Sequence, residues 1–445
     1  MQKLKVVHIS TYRSGGAGRA AYRIHEALLK NGVDSTFLTV EDLGEDCSKN
    51  FSYYNEWAES FFKHPGFVER QKNRIRFRIK KHLNIVVKSR KDKERDRTIK
   101  RREERKAVFT RFSFVKNSLK CESASLPFSS FDILQNPIVK QADIIHLHWV
   151  AGMLDYPSFF AKNKKPLVWT LHDMNPFQGL FHYKEDEERN RELTTGLDEQ
   201  IVLIKQIAVK KRRTKMRIVT PSKWLLGEMQ NSDIFKNISG GSIAYPINIG
   251  FCCPRNKKEL RNQNNIPENN MVFLFVSENI SNSRKGFDLL KDAFKKLSNL
   301  AFTFIMLGAG EDCFIAGIDI RNIGTVDDNR KLADYFSLAD AFIIPSREDN
   351  LPNVMLESLA CGTPVIGFPV GGIKEHVINF KTGLLAENIS SESLAGAIEI
   401  FCKNQERFNS DEIRKYAEEQ FNEELIACQY IRLYHQLSKK RKADA

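Results

Sequence analysis

Apolar residues fall along this chain in short runs, separated by glycine-rich turns and by stretches whose apolar positions recur at helical spacing. Residues 4–9 form the first run and read as a strand. The turn Arg13-Ser14-Gly15-Gly16-Ala17-Gly18 follows, and Ala20, Ala21, Ile24, Ala27 and Leu28 then recur three and four apart until Gly32. Residues 35–40 read as the next strand. A strand, turn, helix and second strand in that order predict a parallel sheet. The pattern breaks from about residue 50 to 130, where a basic stretch and the aromatics Tyr53, Tyr54, Trp57, Phe61 and Phe62 lie. It resumes with buried-type strands at 143–149, 166–171 and 217–220. A second series begins near Ser242, with strands at 272–276, 302–307, 341–344 and 364–367 and helices at 286–297, 332–338 and 351–360. The last helical pattern, about 423–437, carries Leu425, Ile426, Tyr430, Leu433 and Leu437.

Two successive series predict an α/β protein of two doubly wound domains, with the boundary between about residues 235 and 248. Ligands on such sheets bind at the carboxyl ends of the strands, often between domains. The length agrees, since 445 residues exceed what one core usually organises. No apolar run reaches the roughly 18 residues of a membrane span. Met1-Gln2-Lys3-Leu4-Lys5 leads into the first strand without the apolar region of a signal peptide, and the eight cysteines include no Cys-x-x-Cys pair. Both features predict a cytoplasmic protein.

The net charge of +14 points to an anionic partner, and its excess is concentrated between Arg70 and Lys106. Within an insertion of about residues 66–111, Ile75, Ile79, Leu83, Val86 and Val87 alternate with Arg74, Arg76, Arg78, Lys80 and Lys81. Such a segment suits an amphipathic helix on an anionic membrane surface. Asp92, Glu94, Asp96, Glu103 and Glu104 follow, so a solvated, charge-paired helix is the other reading. No nucleic-acid-binding module accompanies the charge, and a nucleic-acid partner is not expected.

Candidate chemistry concentrates in the segment from Pro345 to Ile366, where a strand end leads through Arg347-Glu348-Asp349-Asn350-Leu351-Pro352 into a helix. An acid at the strand end can accept hydrogen bonds from sugar hydroxyls, Glu357 two turns on can accept from a ribose, and the free N–H groups of the helix start suit an anion. Ordinary helix capping accounts equally for an isolated acidic pair. The surrounding residues extend the case. The segment resembles the signature region of glycosyltransferase family 4, retaining transferases of the GT-B fold. That family carries two glutamates separated by seven residues, then small residues and Gly-x-Pro-Val. Here Asp349 and Glu357 have that spacing, Glu348 lies one residue out of register, and Gly362-Thr363-Pro364-Val365 follows.

The resemblance continues through most of the chain. Gly15-Gly16-Ala17-Gly18 resembles the family's N-terminal glycine loop, and His146-Leu147-His148-Trp149 and His172-Asp173 resemble its histidine-bearing strand ends. Arg284-Lys285-Gly286 resembles its diphosphate site. The family's arginine usually precedes the lysine by five residues, and Ile280 stands there instead, so Arg284 takes that role by inference. Leu307-Gly308-Ala309-Gly310, Ile323-Gly324 and Gly371-Gly372-Ile373-Lys374-Glu375 are further matches.

The resemblance implies a GT-B fold of two facing Rossmann-like domains: an acceptor domain over residues 1–240, a nucleotide-sugar domain over 241–422, and a helix over 423–445 returning to the first. It implies a metal-independent hexosyltransferase. This enzyme moves a sugar, with retention, from a nucleoside diphosphate sugar to a glycan or lipid-linked glycan in bacterial surface polysaccharide synthesis. His148, Asp349, Arg284 and Lys285 are the implied catalytic set, with Gly15, Gly16, His172, Asn350, Leu351 and Glu357 binding substrate. No cofactor or metal is expected: the chain contains no Asp-x-Asp, and cations can stabilise the leaving group instead. The expected location is the cytoplasm, including the inner face of the plasma membrane. The alternatives are a catalytically silent GT-B protein used for partner binding and, behind it, a basic nucleic-acid-binding protein.

Overall fold

The computed structural model describes residues 3–41, 51–53, 90–297, 300–310 and 313–439. Two all-parallel sheets organise them. The first has seven strands in the order β3-β2-β1-β4-β5-β6-β7: β1 Lys5–Ile9, β2 Asp34–Thr39, β3 Phe51–Tyr53, β4 Ile144–Leu147, β5 Leu167–Thr170, β6 Met216–Thr220 and β7 Gly240–Ser242. The second has six in the order β10-β9-β8-β11-β12-β13: β8 Met271–Asn279, β9 Phe302–Ala309, β10 Asp319–Gly324, β11 Ala341–Ile344, β12 Val365–Gly367 and β13 Gly383–Leu385.

The central strands are continuous apolar runs because helices cover both faces. Alternate residues enter different cores. In the first sheet Val7, Ile9, Ile145, Leu147 and Trp169 face one apolar layer, while Val6, Ile144 and Val168 face the other. That second layer continues into Val272, Leu274, Ile305 and Phe342 of the second sheet, through Tyr430 and Tyr434 of the last helix, Glu423–Lys439. The outer face of the second sheet packs its own core around Phe273, Phe294 and Phe304.

The chain crosses between sheets at two adjacent places. The Ile247 N–H donates to the Phe421 carbonyl at 2.8 Å, where the first crossing meets the returning one. The returning helix then lies against the helix Gly15–Lys30, and Lys30 Nζ binds Glu423 at 2.7 Å. The Tyr434 hydroxyl meets His146 Nδ1 at 2.7 Å, and Tyr430 meets Thr170 at 3.0 Å.

Three sequence expectations shift. Ser242 closes β7 of the first sheet and does not open the second series, and β7 straddles the expected 240/241 boundary. Gly240-Gly241-Ser242 pairs with β6 through backbone alone, so it has no apolar signature. The helix expected from residue 351 starts at Asn353, because Pro352 is itself extended, with φ −68° and ψ 125°, and stands as the N-cap. Of the basic insertion, residues 66–89 lie outside the described residues, including the amphipathic segment expected on a membrane. The part at its far end is docked on the protein. In the helix Arg90–Val115, Val108 is buried with Phe128, Leu180 and Ile201, and Arg111 donates to the Gly196 and Thr195 carbonyls. Among the described residues no helix is long and apolar enough to cross a membrane.

Tyr434→Phe should cost about 1–3 kcal/mol, because it strips the hydroxyl from His146 in a dry interior. A fall in the denaturation midpoint checks it, and an unchanged midpoint would show that this contact does not anchor the last helix.

Candidate active site

The carboxyl ends of the two sheets face one another across a cleft of about 540 Å³. Gly15, Gly16, Trp149, His172 and Tyr245 form the wall on the first sheet's side. Glu278, Arg284, Lys285, Asp349, Asn350, Leu351 and Glu357 form the opposite wall. Glycines at two turns allow the second wall to close. Gly286 has φ +69°, and a Cβ there would sit 1.8 Å from the Pro345 carbonyl oxygen at the end of β11. Gly371, with φ +46°, would place a Cβ 1.6 Å from the Asp349 carbonyl oxygen. Backbone contact at both points brings Lys285 and Asp349 together.

Lys285 Nζ lies 2.6 Å from Asp349 Oδ2, and Arg284 is 3.5 Å from the same oxygen. Arg284 donates to the Glu348 carbonyl at 2.9 Å and stacks 3.9 Å over the Tyr183 ring. Burial pulls the Asp349 carboxyl upward, but Lys285 and Arg284 outweigh it and hold the group below the usual carboxylate range. Asp349 is therefore an anion that two cations neutralise. Of the two adjacent acids, Asp349 lines the cleft. Glu348 turns away and accepts from the Lys184 and Glu185 N–H groups, both at 3.1 Å, capping the helix Lys184–Thr194 of the facing domain. Glu375 of the Gly-Gly turn does the same for the helix Lys223–Asn231, accepting from the Lys223 and Trp224 N–H groups.

Contacts across the cleft include residues that carry no motif. Glu122 of the first domain binds Arg284 Nε at 2.7 Å and the Asn282 amide at 2.8 Å. Arg23 pairs with Glu357 and reaches the Asn353 side chain at 3.4 Å. Asn353 donates to the Gly16 carbonyl at 2.8 Å, and Asn350 donates to the His172 carbonyl at 3.1 Å. Glu122, Tyr183, Arg23 and Tyr245 were not legible in the sequence, since only the tertiary fold brings them to the cleft. Ile280, which stands at the family's arginine position, is buried and packs beside Gly308 and Gly310, and Arg284 occupies the cleft.

His148 requires a correction. It does not line the cleft and is 1% exposed. Alternation along β4 and just past its end turns His146 and His148 to the face that the last helix covers with Tyr430 and Tyr434, and Trp149 reaches the cleft instead. His148 belongs to a buried imidazole layer. His8 Nδ1 meets His148 Nε2 at 2.9 Å, His148 Nδ1 meets His172 Nε2 at 3.1 Å, and His172 Nδ1 meets the Tyr245 hydroxyl at 2.7 Å. Each contact between two imidazoles holds one proton, so the tautomers of His8, His148 and His172 are set in series. His8 Nε2 has no hydrogen-bond partner. One nitrogen each of His8, His146 and His148 lie within 4.8 Å of one another, a spacing that admits a metal ion. However, His146 has both nitrogens bonded to the hydroxyls of Tyr434 and Thr170, and His148 has both on other imidazoles. The layer is accordingly a hydrogen-bonded support for His172.

Next to it, Asp173 accepts from Trp149 Nε1 at 2.7 Å and lies 2.6 Å from His182 Nδ1. Burial would raise its pKa, but His182 and these bonds bring it below the usual range. Lys205, wholly buried, donates to the carbonyls of Asn175, Gln178 and Gly179 and so ties down the loop after Asp173; burial pushes it down to about 7.

Known proteins resemble this chain in sequence and in fold. Residues 256–420 match the family described as glycosyl transferases group 1. A D-inositol 3-phosphate glycosyltransferase of Streptosporangium roseum is 24% identical, over 58% of this chain and 61% of its own length. An N-acetyl-alpha-D-glucosaminyl L-malate synthase of Bacillus anthracis is 27% identical over 41% of this chain and 49% of its own. The chain thus spans less than two thirds of either relative. A lipopolysaccharide 1,2-N-acetylglucosaminetransferase of Salmonella typhimurium is 24% identical over 60% of this chain and 77% of its own length. Among solved structures, a sucrose-phosphate synthase from Thermosynechococcus elongatus superposes with TM-score 0.65 at 18% identity, covering 98% of this chain and 99% of that one. Anabaena HepE in complex with UDP-glucose superposes at 0.58 and 15% identity, covering 98% and 100%. These likenesses establish the GT-B fold, with two facing Rossmann-like domains.

Burial lowers His172 and His25 from 6.5 to about 4, and lowers His8, His146 and His148 well below their ordinary value. The unfolded chain therefore binds more protons than the folded one between about pH 6.5 and 4. This stability is complete above that window and is lost as pH falls through it. Melting temperature should drop steeply there, with a shallower slope in His8→Leu. Coincident slopes would assign the acid sensitivity to other groups.

Proposed function

We propose that this chain, whose residues 256–420 form a group 1 glycosyltransferase domain, moves a hexosyl unit from a nucleoside diphosphate sugar to an acceptor hydroxyl with retention of configuration. The observation that carries this reading is the convergence of Lys285 and Arg284 on Asp349 in the cleft between the domains, with Glu357 on the same wall. As the bond from the anomeric carbon to the phosphate oxygen breaks, negative charge develops on the diphosphate. Fixed cations on the cleft wall stabilise that charge. The acceptor oxygen bonds to the same face of the sugar, and its proton passes to the departing phosphate. The protein's contribution is orientation and charge stabilisation.

Within this reading Asp349, Asn350 and Leu351 hold the sugar, Glu357 holds the ribose, and the Gly15-Gly16 turn lets backbone approach the donor or acceptor. His172 faces the sugar, and His148 acts behind it as a positioning residue. Glu122 on Arg284 and Arg23 on Glu357 hold the groups assigned to diphosphate and ribose, so a donor exchanges with these side chains on entering. A uridine nucleotide is the first donor to test, because a similarly folded protein is known in complex with UDP-glucose. The acceptor we assign is a glycan or lipid-linked glycan of a bacterial surface polysaccharide, following the relative that acts on lipopolysaccharide. The place of action we assign is the cytoplasm, including the inner membrane face. A donor-hydrolysis assay separates this reading from a catalytically silent partner-binding protein.

Lys285→Ala and Glu357→Gln should each lower turnover by about 10²-fold or more in protein that still folds, with Lys285→Ala melting lower because Asp349 loses its nearer cation. Near-normal rates in both would place the chemistry elsewhere.

Metal independence follows from the same cations, since Arg284 and Lys285 supply the positive charge that a divalent ion would otherwise bring. Turnover should persist in EDTA. Complete loss, restored by Mg²⁺ or Mn²⁺, would overturn the cation-based mechanism.

A further inference from the structure

At the end of the first sheet opposite the cleft, β6 begins within the run Lys210-Lys211-Arg212-Arg213-Thr214-Lys215-Met216-Arg217. Five of its cations, with residues 237–239 and with Gln436 and Leu437 of the last helix, line an open groove of about 880 Å³. Among the described residues, none of Lys210, Lys211, Arg213 and Lys215 forms an ion pair. Asp233, whose charge Lys210 feels, is held instead by Lys236 at 2.6 Å. So many unpaired like charges on one rim repel one another and create a local field that attracts a polyanion.

A second feature indicates which polyanion. The helix Leu197–Lys210 ends in this run and buries Ile201, Ile204 and Ala208. Its outer face shows Leu203 and Ile207 to solvent, 52% and 40% exposed. They lie one turn apart and lead directly to Lys210 and Lys211 on the same face. A soluble polyanion gains nothing from exposed leucine and isoleucine. A lipid interface takes both the apolar side chains and the cations.

We propose that this face docks on a membrane surface rich in anionic phospholipid. The groove lies at the amino ends of the strands, so docking leaves the cleft at their carboxyl ends open to solvent. The proposal does not depend on the glycosyl-transfer reading.

The test is flotation of the full chain with vesicles of phosphatidylcholine alone or mixed with phosphatidylglycerol. The chain should bind only the mixed vesicles and leave them as salt rises. The triple variant Lys210→Gln, Arg213→Gln, Lys215→Gln should lose about tenfold or more in partitioning. The double variant Leu203→Ser, Ile207→Ser should lose several-fold with its charge intact. Both should keep the wild-type melting temperature and donor turnover. Unchanged partitioning in either variant, or equal binding to neutral vesicles, overturns the proposal. So does absence of vesicle binding when a single-stranded RNA is retained by the wild type and released by the triple variant alone, which would identify a soluble polyanion as the partner.

Discussion

A buried carboxylate that must stay ionised sets the terms for the cleft. Asp349 sits where water has little access, and an unpaired charge there would cost several kcal/mol. Lys285 at 2.6 Å and Arg284 at 3.5 Å make the site tenable. Reaching that geometry requires the Lys285-Gly286 turn to touch the end of β11, and requires Gly371 to touch the backbone of Asp349. Arg284 in turn needs further partners for its remaining donors. It finds them in the Glu348 carbonyl and in Glu122 of the other domain. The charge balance of one side chain therefore connects two turns of the second sheet to the wall of the first.

The domains meet mainly through groups that would otherwise lack partners. Glu348 and Glu375 of the second domain accept from N–H groups at the starts of two helices in the first. Helix starts carry free donors and partial positive charge, so each carboxylate satisfies donors that no residue of its own helix can. Such contacts are directional, unlike the continuous apolar layer that the last helix carries across both sheets. The apolar layer gives the two domains a common core, and the polar contacts define how the cleft walls face one another.

Behind the cleft, the imidazole layer shows why an acid-sensitive interior can support a binding wall. Neutral imidazoles accept and donate at once, so His8, His148, His172 and Tyr245 can be joined without any buried charge. His172 is held by this row from behind, and Asn350 from the opposite wall donates to its carbonyl. The basic run before β6 has the opposite character. Its charges crowd together, largely unpaired, at the far end of the sheet. Net charge by itself located neither feature, because one layer is neutral and the cations of the other were spread among the chain's 69 lysines and arginines.

Local patterning determined much of this molecule. Central parallel strands are buried on both faces, so β1, β4, β5, β9 and β11 appear as short apolar runs. Glycine turns and the Asp349–Glu357 spacing marked one wall of the cleft, because those residues meet backbone and helix geometry close in sequence. The tertiary structure decided the rest. The edge strand β7 is paired through backbone without apolar side chains and left no trace. His148 matched a motif yet faces the interior, since whether a strand-end residue looks into a cleft or into a core depends on which helix covers that face. Glu122 and Arg23 act on residues 162 and 334 positions away. No periodicity encodes such separations. They arise when two sheets close on one another and each buried charge takes the nearest opposite one.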